Sequence, residues 1–510
     1  MCLALVMVVS GVSMLNNALP LMAESLGLSQ SRQQWVIDGY TVALAALLLP
    51  AGAIGDRFGR RSAMLGGIAV FGVGALLAAT TDSAQVLIAA RIVAGLGAAF
   101  IMPGTLSTIT SVFPPEGRAK AVGIWAGFAG AGGTLGMFVS GALVDRFDWS
   151  SVFLVSAALA VVTLLAVLAV VPNTKASEAV PLDPVGAGLS AIGIAALVIG
   201  IIEGPTSGWT SGTTVATLLA GIAFLAAFVR WERRNPEPML DPDLFTHRGL
   251  ATGSATMFLM FLAMFGFFFV SVQYLQLVQG YGALTAAAAL FPMSAVFLVI
   301  SPFAATLSER YGQRAVGGAG LTIAAVGFAL FLGLQADSGY LTFLAISLVV
   351  GLGMALSMTP ATNAIVSSLP RDKQGVASAI NDVTRELGAA FGIAIVGSAF
   401  NMGYRGSIDA HLDGLPAEAA QRAHEAPATA YDVASTLGDG GSSLVGHTNA
   451  AFVSGLHNAV LVGAACMLIG AVFVALRAPS KSEEILEDEL DASDGPDVAD
   501  PVPSLTPAGS

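Results

Sequence analysis

The chain has 510 residues, of which 55% are apolar and only 11% charged, with a formal net charge of -12 and two cysteines. That balance excludes a string of soluble domains, and the absence of any basic, aromatic-rich cluster excludes a nucleic-acid partner. A helix rising ~1.5 Å per residue needs about twenty apolar residues to cross a bilayer core, so runs of that length read as membrane spans.

In chain order the apolar runs cover 3–23, 35–54, 64–79, 86–102, 122–144, 152–171, 185–202, 214–229, 251–275, 284–307, 315–334, 341–365, 376–400 and 452–476. They predict an all-α membrane protein of about fourteen transmembrane helices. The first run is too long for a signal-peptide core and lacks a small-residue cleavage pattern, so it reads as a retained helix. Cys2 and Cys466 fall inside apolar runs and imply packing rather than a disulfide framework.

Lysine and arginine set the orientation, because positive loops stay on the cytoplasmic side. With an inside amino terminus and alternating spans, sixteen of the Lys and Arg residues fall in cytoplasmic segments and four outside, with Arg91 and Arg385 inside apolar runs. The prediction is a multi-pass protein of a prokaryotic inner (plasma) membrane with both termini in the cytoplasm. The negative charge localises. The tail 478–510 and the external segment 403–450 carry most of it, leaving the membrane body near neutrality. Both are polar and rich in Ala, Gly, Ser and Pro, which predicts disorder.

An internal duplication decides the architecture. Gly55-Asp56-Arg57-Phe58-Gly59-Arg60-Arg61 matches Ser308-Glu309-Arg310-Tyr311-Gly312-Gln313-Arg314 at an offset of 253. Gly95-Leu96-Gly97 matches Gly351-Leu352-Gly353 at 256, and Arg118 matches Lys373 at 255. The chain therefore reads as two parallel six-helix units, 1–172 and 249–477, with an inserted helix pair in 182–231. Such halves rock about a midplane site at their interface in secondary transporters.

With the repeat in place the first hairpin becomes specific. Gly52-x-x-Gly55-Asp56-Arg57-x-Gly59-Arg60-Arg61 resembles the signature loop of the major facilitator superfamily. The glycines permit a tight turn and close helix approach, and Asp56 can pair with Arg60 or with the N-terminus of a facing helix. The resemblance implies a conformational gate of Gly52, Gly55, Asp56, Arg57, Gly59 and Arg60 that latches one side shut. Asn16-Asn17-Ala18-Leu19-Pro20, Gln34-Trp35-Val36-Ile37-Asp38-x-Tyr40, Arg91-x-x-x-Gly95 and Gly375-Val376-x-Ser378-x-x-Asn381-Asp382-x-x-Arg385-Glu386-Leu387-Gly388 resemble the fourteen-helix drug:proton antiporter branch. That branch implies proton-coupled efflux of lipophilic or cationic small molecules by a monomer that needs no cofactor beyond the proton gradient.

Three departures stand against that branch, one being Asn363 in the twelfth helix, where relatives often place Asp. Gly11 occupies the place of an acid in the first helix. The fifth-helix antiporter motif reads Gly136-Met137-Phe138-Val139-Ser140-Gly141, without the proline that bends the helix. Gly136 and Gly141 remain gate candidates.

An ionisable group in hydrocarbon costs about 2.5–3.5 kcal/mol on insertion scales, so it normally faces a cavity or a partner. Asp38 and Arg91 lie roughly 5 and 8 Å from the same end of their helices, which lets them meet, with Asn16 completing a polar patch. Asp382, Arg385 and Glu386 share one helical face at spacings of three and four. One guanidinium neutralises only one carboxylate, which leaves the other to carry a proton. Trp125, Phe265, Phe267, Gln273, Tyr274 and Gln276 are candidates for lining a path for an amphipathic substrate. An enzyme is not expected. None of the four lysines follows a glycine, so there is no phosphate loop, and no metal-ligand cluster or nucleophile–base pair occurs. The alternatives are an exporter of one dedicated metabolite or lipid-like molecule with altered coupling, and a non-transporting receptor or scaffold.

Overall fold

A computed structural model of the protein describes residues 1–174, 182–413, 415–437 and 441–481; the expectation for the acidic tail beyond 481 lies outside the described residues. Among these residues every regular element is helical. The first six-helix unit comprises α1 (Cys2–Ser13) with α2 (Leu15–Leu26), then α3 (Gln30–Phe58), α4 (Arg60–Ala79), α5 (Ala84–Val112), α6 (Pro115–Val144) and α7 (Ser150–Val170). The inserted pair is α8 (Pro184–Ser207) and α9 (Gly212–Glu232). The second unit comprises α10 (Arg248–Gln273), α11 (Ala283–Tyr311), α12 (Gln313–Leu330), α13 (Tyr340–Ser367) and α14 (Gln374–Ile408). It ends, after the short α15 (Ala417–Glu425) and α16 (Pro427–Thr436), with α17 (Gly441–Arg477). Thirteen single helices are long and apolar enough to cross a membrane, and the α1–α2 pair, bent by 53°, makes a fourteenth.

The run 3–23, read as one retained helix, is a bent pair. Pro20 has no amide hydrogen and its ring crowds the carbonyl four residues back, next to the break at Met14. The bend leaves the Met14 carbonyl to a neighbour, and the Ser140 hydroxyl of α6 donates to it. Asn17 of α2 in turn donates through Nδ2 to the Met137 carbonyl at 2.9 Å. The helix α6, without its proline, runs unbroken.

The duplication holds at the level of single contacts. Gly59 and Gly312 end α3 and α11 with φ of 106° and 86°, a region that favours glycine. Arg61 donates to the Leu168 carbonyl near the end of α7, and Arg314 to the Ala475 carbonyl near the end of α17. A Cβ on Gly97 would lie 2.5 Å from the Gly67 oxygen, and one on Gly353 would lie 2.5 Å from the Gly320 oxygen. So α4 crosses α5 as α12 crosses α13, backbone to backbone.

The inserted pair is not peripheral on both sides. Ile194 and Val198 of α8 pack with Ala45 of α3, while Ile201 packs with Ala390 and Ala394 of α14. The helix α8 is thus wedged between one helix of each unit. Asp183 caps its start, accepting from the Val185 and Gly186 amides at 3.1 and 2.9 Å.

The external segment expected to be disordered is largely helical. The helix α14 continues to Ile408, α17 begins at Gly441, and α15 and α16 fold between them. Tyr404, Ile408, Ala423, Ala430, Val433 and Leu444 are buried there, and the Tyr404 hydroxyl donates to the Ala423 carbonyl at 2.8 Å. Tyr404 and Ile408 recur at helical spacing and give the polar segment an apolar seam.

Candidate functional site: a latch and a buried charge cluster at the bundle interface

The two units meet along α3 with α14 and along α6 with α11. On the second seam small residues let the backbones touch: a Cβ on Gly123 would lie 2.8 Å from the Ser301 oxygen, and one on Gly127 would lie 3.0 Å from the Phe297 oxygen. Ser294 donates to Thr134 across it at 2.6 Å.

At one end of the first seam Asp56 joins the halves. Its Oδ1 accepts from Arg60 Nη2 at 2.7 Å and Nε at 2.9 Å, and its two oxygens accept the Gly375 amide at 2.9 and 2.8 Å. The Val376 amide adds a contact at 3.2 Å. Asp56 and Arg60 are 1% and 2% exposed, so this is a fully enclosed ion pair laid on the positive end of α14. Gly52 lies against Gly375, where a Cβ on either would come within 2.5 Å of the other's carbonyl oxygen. In the second copy the matching Glu309 is exposed and only the first copy forms the latch. Gly55 packs loosely, a Cβ there lying 3.8 Å from that of Ala63, and Arg57 lies over the Phe58 ring at 5.5 Å. Gly136 lets α6 approach Ser10 of α1, and Gly141 faces Leu284 of α11 and Asn17.

The second buried carboxylate differs in kind. Asp382, seven residues along α14 from Gly375, stands about 10 Å deeper at ~1.5 Å per residue. It is fully buried, and its Oδ1 accepts from Arg385 Nη1 and from Asn381 Nδ2, both at 3.3 Å. These are long for bonds to a charge, which settle at about 2.7–2.9 Å. Asp382 Oδ2 and Arg385 Nε have no hydrogen-bond partner. The Arg385 guanidinium lies 4.7 Å from the Phe261 ring of α10 and 5.5 Å from the Trp125 ring of α6, so one cation touches both units. Trp125 is held by its Nε1 donating to Thr105 at 3.0 Å. Glu386 is half-buried beside this group and makes no ion pair with Arg385, which prefers Asp382.

Asp56 is saturated with donors and suited to holding a shape. Asp382 has an idle oxygen in an apolar enclosure and is suited to exchanging a partner. Trp125 closes one wall, so Trp125→Ala is expected to lower stability by about 3–5 kcal/mol. Thermal unfolding of the purified protein checks this.

The remaining candidates are placed as follows. Arg91, 3% exposed, donates through Nε to the Val36 carbonyl at 3.0 Å and lies 4.4 Å over the Tyr40 ring. It does not pair with Asp38, which corrects the expected meeting: Arg91 reaches the backbone two residues earlier, and the Tyr40 ring occupies the approach. Asp38 is half-buried, and the charge acting on it is Glu203 of α8. Asn16 lies in α2, and its side chain is outside the described residues. Phe265, stacked on Phe261 at 5.9 Å, extends the aromatic wall. Phe267 and Tyr274 do not line the interface; they form the core of the second unit with Phe328, Phe331, Phe343 and Phe452. Asn381, quoted in the motif of α14, and Glu203 are not singled out as site residues by the sequence. Asn381 is uncharged, and Glu203 stands one residue beyond the run 185–202.

Comparison with known proteins agrees with this fold. The family model described as Major Facilitator Superfamily matches residues 1–393. The multidrug efflux pump LfrA of Mycolicibacterium smegmatis is 34% identical over 461 residues, 90% of this chain and 91% of its own. The methyl viologen resistance protein SmvA of Salmonella typhimurium is 31% identical over 460 residues, 90% of this chain and 92% of its own. Among solved structures, the proton:xylose symporter XylE superposes with a TM-score of 0.61 at 14% identity, over 96% of this chain and 97% of that one.

Proposed function

We infer that this chain, a secondary transporter that belongs to the Major Facilitator Superfamily, exports lipophilic cationic small molecules in exchange for protons. The observation that carries the reading is Asp382: a fully buried carboxylate with one unpartnered oxygen and a loosely bonded arginine, Arg385, whose guanidinium lies against two aromatic rings. A lipophilic cation takes rings for its body and a carboxylate for its charge. A proton takes the same carboxylate. Competition for one group is sufficient to couple the two flows in opposite directions.

Each half-cycle then has a physical sense. When Asp382 is ionised, a cation pairs with its free oxygen and takes the place of Arg385 against Phe261 and Trp125. Protonation removes the charge the cation was paired with and frees it. Arg385, attached to α14 and touching both units, follows the state of Asp382, and Glu386 supplies a second acid one residue along. Rocking of the halves about α6 and α11 exposes the site alternately. In the structure Asp56 and Gly375 hold one end closed.

The positive-charge bias assigns the latch end to the cytoplasm and both termini to the same side of a plasma membrane. The units 1–172 and 249–477 act as the two rocking bodies, with the inserted pair moving between them. The protein functions as a monomer, powered by the proton gradient.

Purified protein in liposomes containing a pH dye, challenged with a panel of lipophilic cations, tests the function. Substrate-triggered proton movement supports exchange. Cation uptake into the vesicles with no proton movement moves the reading to a uniporter, and no response to any compound moves it to a dedicated exporter. The direction of the pH effect is fixed: acidification fills Asp382, so apparent affinity for the cation falls as pH falls, by up to about tenfold per unit.

A further inference from the structure

We propose that the small cavity beside Arg91 binds one monovalent anion of the size of chloride as the counter-charge of that guanidinium. Arg91 is enclosed in the first unit at 3% exposure, and its Nη2 is buried with no hydrogen-bond partner. Its one described hydrogen bond goes to the neutral Val36 carbonyl, and its ring contact to Tyr40, whose hydroxyl is itself committed to the Val8 carbonyl at 3.0 Å. Among the described residues no carboxylate forms an ion pair with it: the enclosed acids Asp56 and Asp382 pair with Arg60 and Arg385. A carbonyl dipole and a ring face offset part of a buried charge and do not cancel it.

The space next to Arg91 limits its occupant to one small particle. The cavity is bordered by Gly11, Phe71, Ala94, Phe153 and Ser156 and has a volume of about 10 Å³, room for a single particle of about the size of water. Gly11 creates the room: the nearest atoms to a Cβ there would be the Phe71 ring at 3.4 Å and the Tyr40 hydroxyl at 3.6 Å, ordinary contacts. Ser156, whose hydroxyl donates to the Val152 carbonyl at 2.9 Å, is the second polar side chain on the wall. A water molecule would satisfy Nη2 and leave the charge uncompensated among apolar walls, and a phosphate or sulfate does not fit. A halide meets both conditions.

The test is thermal unfolding of the full-length protein in detergent, in sodium chloride against sodium gluconate at equal ionic strength. The unfolding midpoint of the parent is expected to rise with chloride and saturate, as for any ligand bound to the folded state. In Gly11→Asp the carboxylate enters the cavity and supplies the charge, so the chloride response disappears while the midpoint in gluconate reaches or exceeds that of the parent. Should Gly11→Asp fail to fold, Arg91→Gln carries the same test, because without the charge chloride has nothing to pair with. A parent midpoint indifferent to chloride, or a chloride shift of equal size in the variants, overturns the proposal.

Discussion

In Gly375→Ala the two units fail to close at the latch end. The added Cβ would lie 2.4 Å from the Gly52 carbonyl oxygen and 2.7 Å from the Asp56 carboxylate carbon, and neither is a flexible side-chain tip that can swing away. Overpacking of this kind costs about 1–3 kcal/mol, and the closed state alone bears it. The same methyl displaces the carboxylate from the Gly375 and Val376 amides, which removes bonds to a charge worth about 1.5–3 kcal/mol each. Together these shift the balance between closed and open by at least about a hundredfold. Spin labels at Phe58 and Ser367, both exposed at this end of opposite units, report it as a longer distance. An unchanged distance distribution would remove Asp56 and Gly375 from the gate. Asp56→Asn is milder, because an amide oxygen still accepts while its NH₂ faces Arg60 without a bond.

The second large effect belongs to Asp382→Asn. The amide is nearly the same shape and keeps a contact to Arg385, so folding survives, but the group no longer takes or releases a proton. Substrate-driven proton flux is expected to fall by about two orders of magnitude or more, as when a proton-transferring side chain is removed elsewhere. Glu386→Gln should cost less. Glu386 makes no ion pair with Arg385 and stands at the edge of the cluster, so a larger loss there than in Asp382→Asn would exchange their roles.

Much of this was readable before any coordinates. Fourteen apolar runs, a repeat at a nearly constant offset and the Asp56 loop point to two six-helix units, because membrane spans and glycine turns are written in local sequence. Both partners expected for Asp56, Arg60 and a helix N-terminus, are present at once. The misses share a cause: they depend on which way a side chain points. Asp38 and Arg91 have the right depth and the wrong bearing, and depth is all that residue counting supplies. Phe267 and Tyr274 face the interior of the second unit, on helices whose polar and apolar faces the sequence barely separates. The external segment 403–450 has the composition of disorder, and a few buried residues such as Tyr404 and Val433 are enough to fold it against α17.

The central claim is that cation and proton compete for Asp382, and proton release on binding measures it most directly. Purified protein in weakly buffered detergent solution, with a soluble pH indicator, is mixed with a saturating lipophilic cation at a pH where Asp382 is largely protonated. The account predicts release of close to one proton per protein molecule in the parent and none in Asp382→Asn. Binding of the cation without proton release in the parent, or equal release in both proteins, would contradict it.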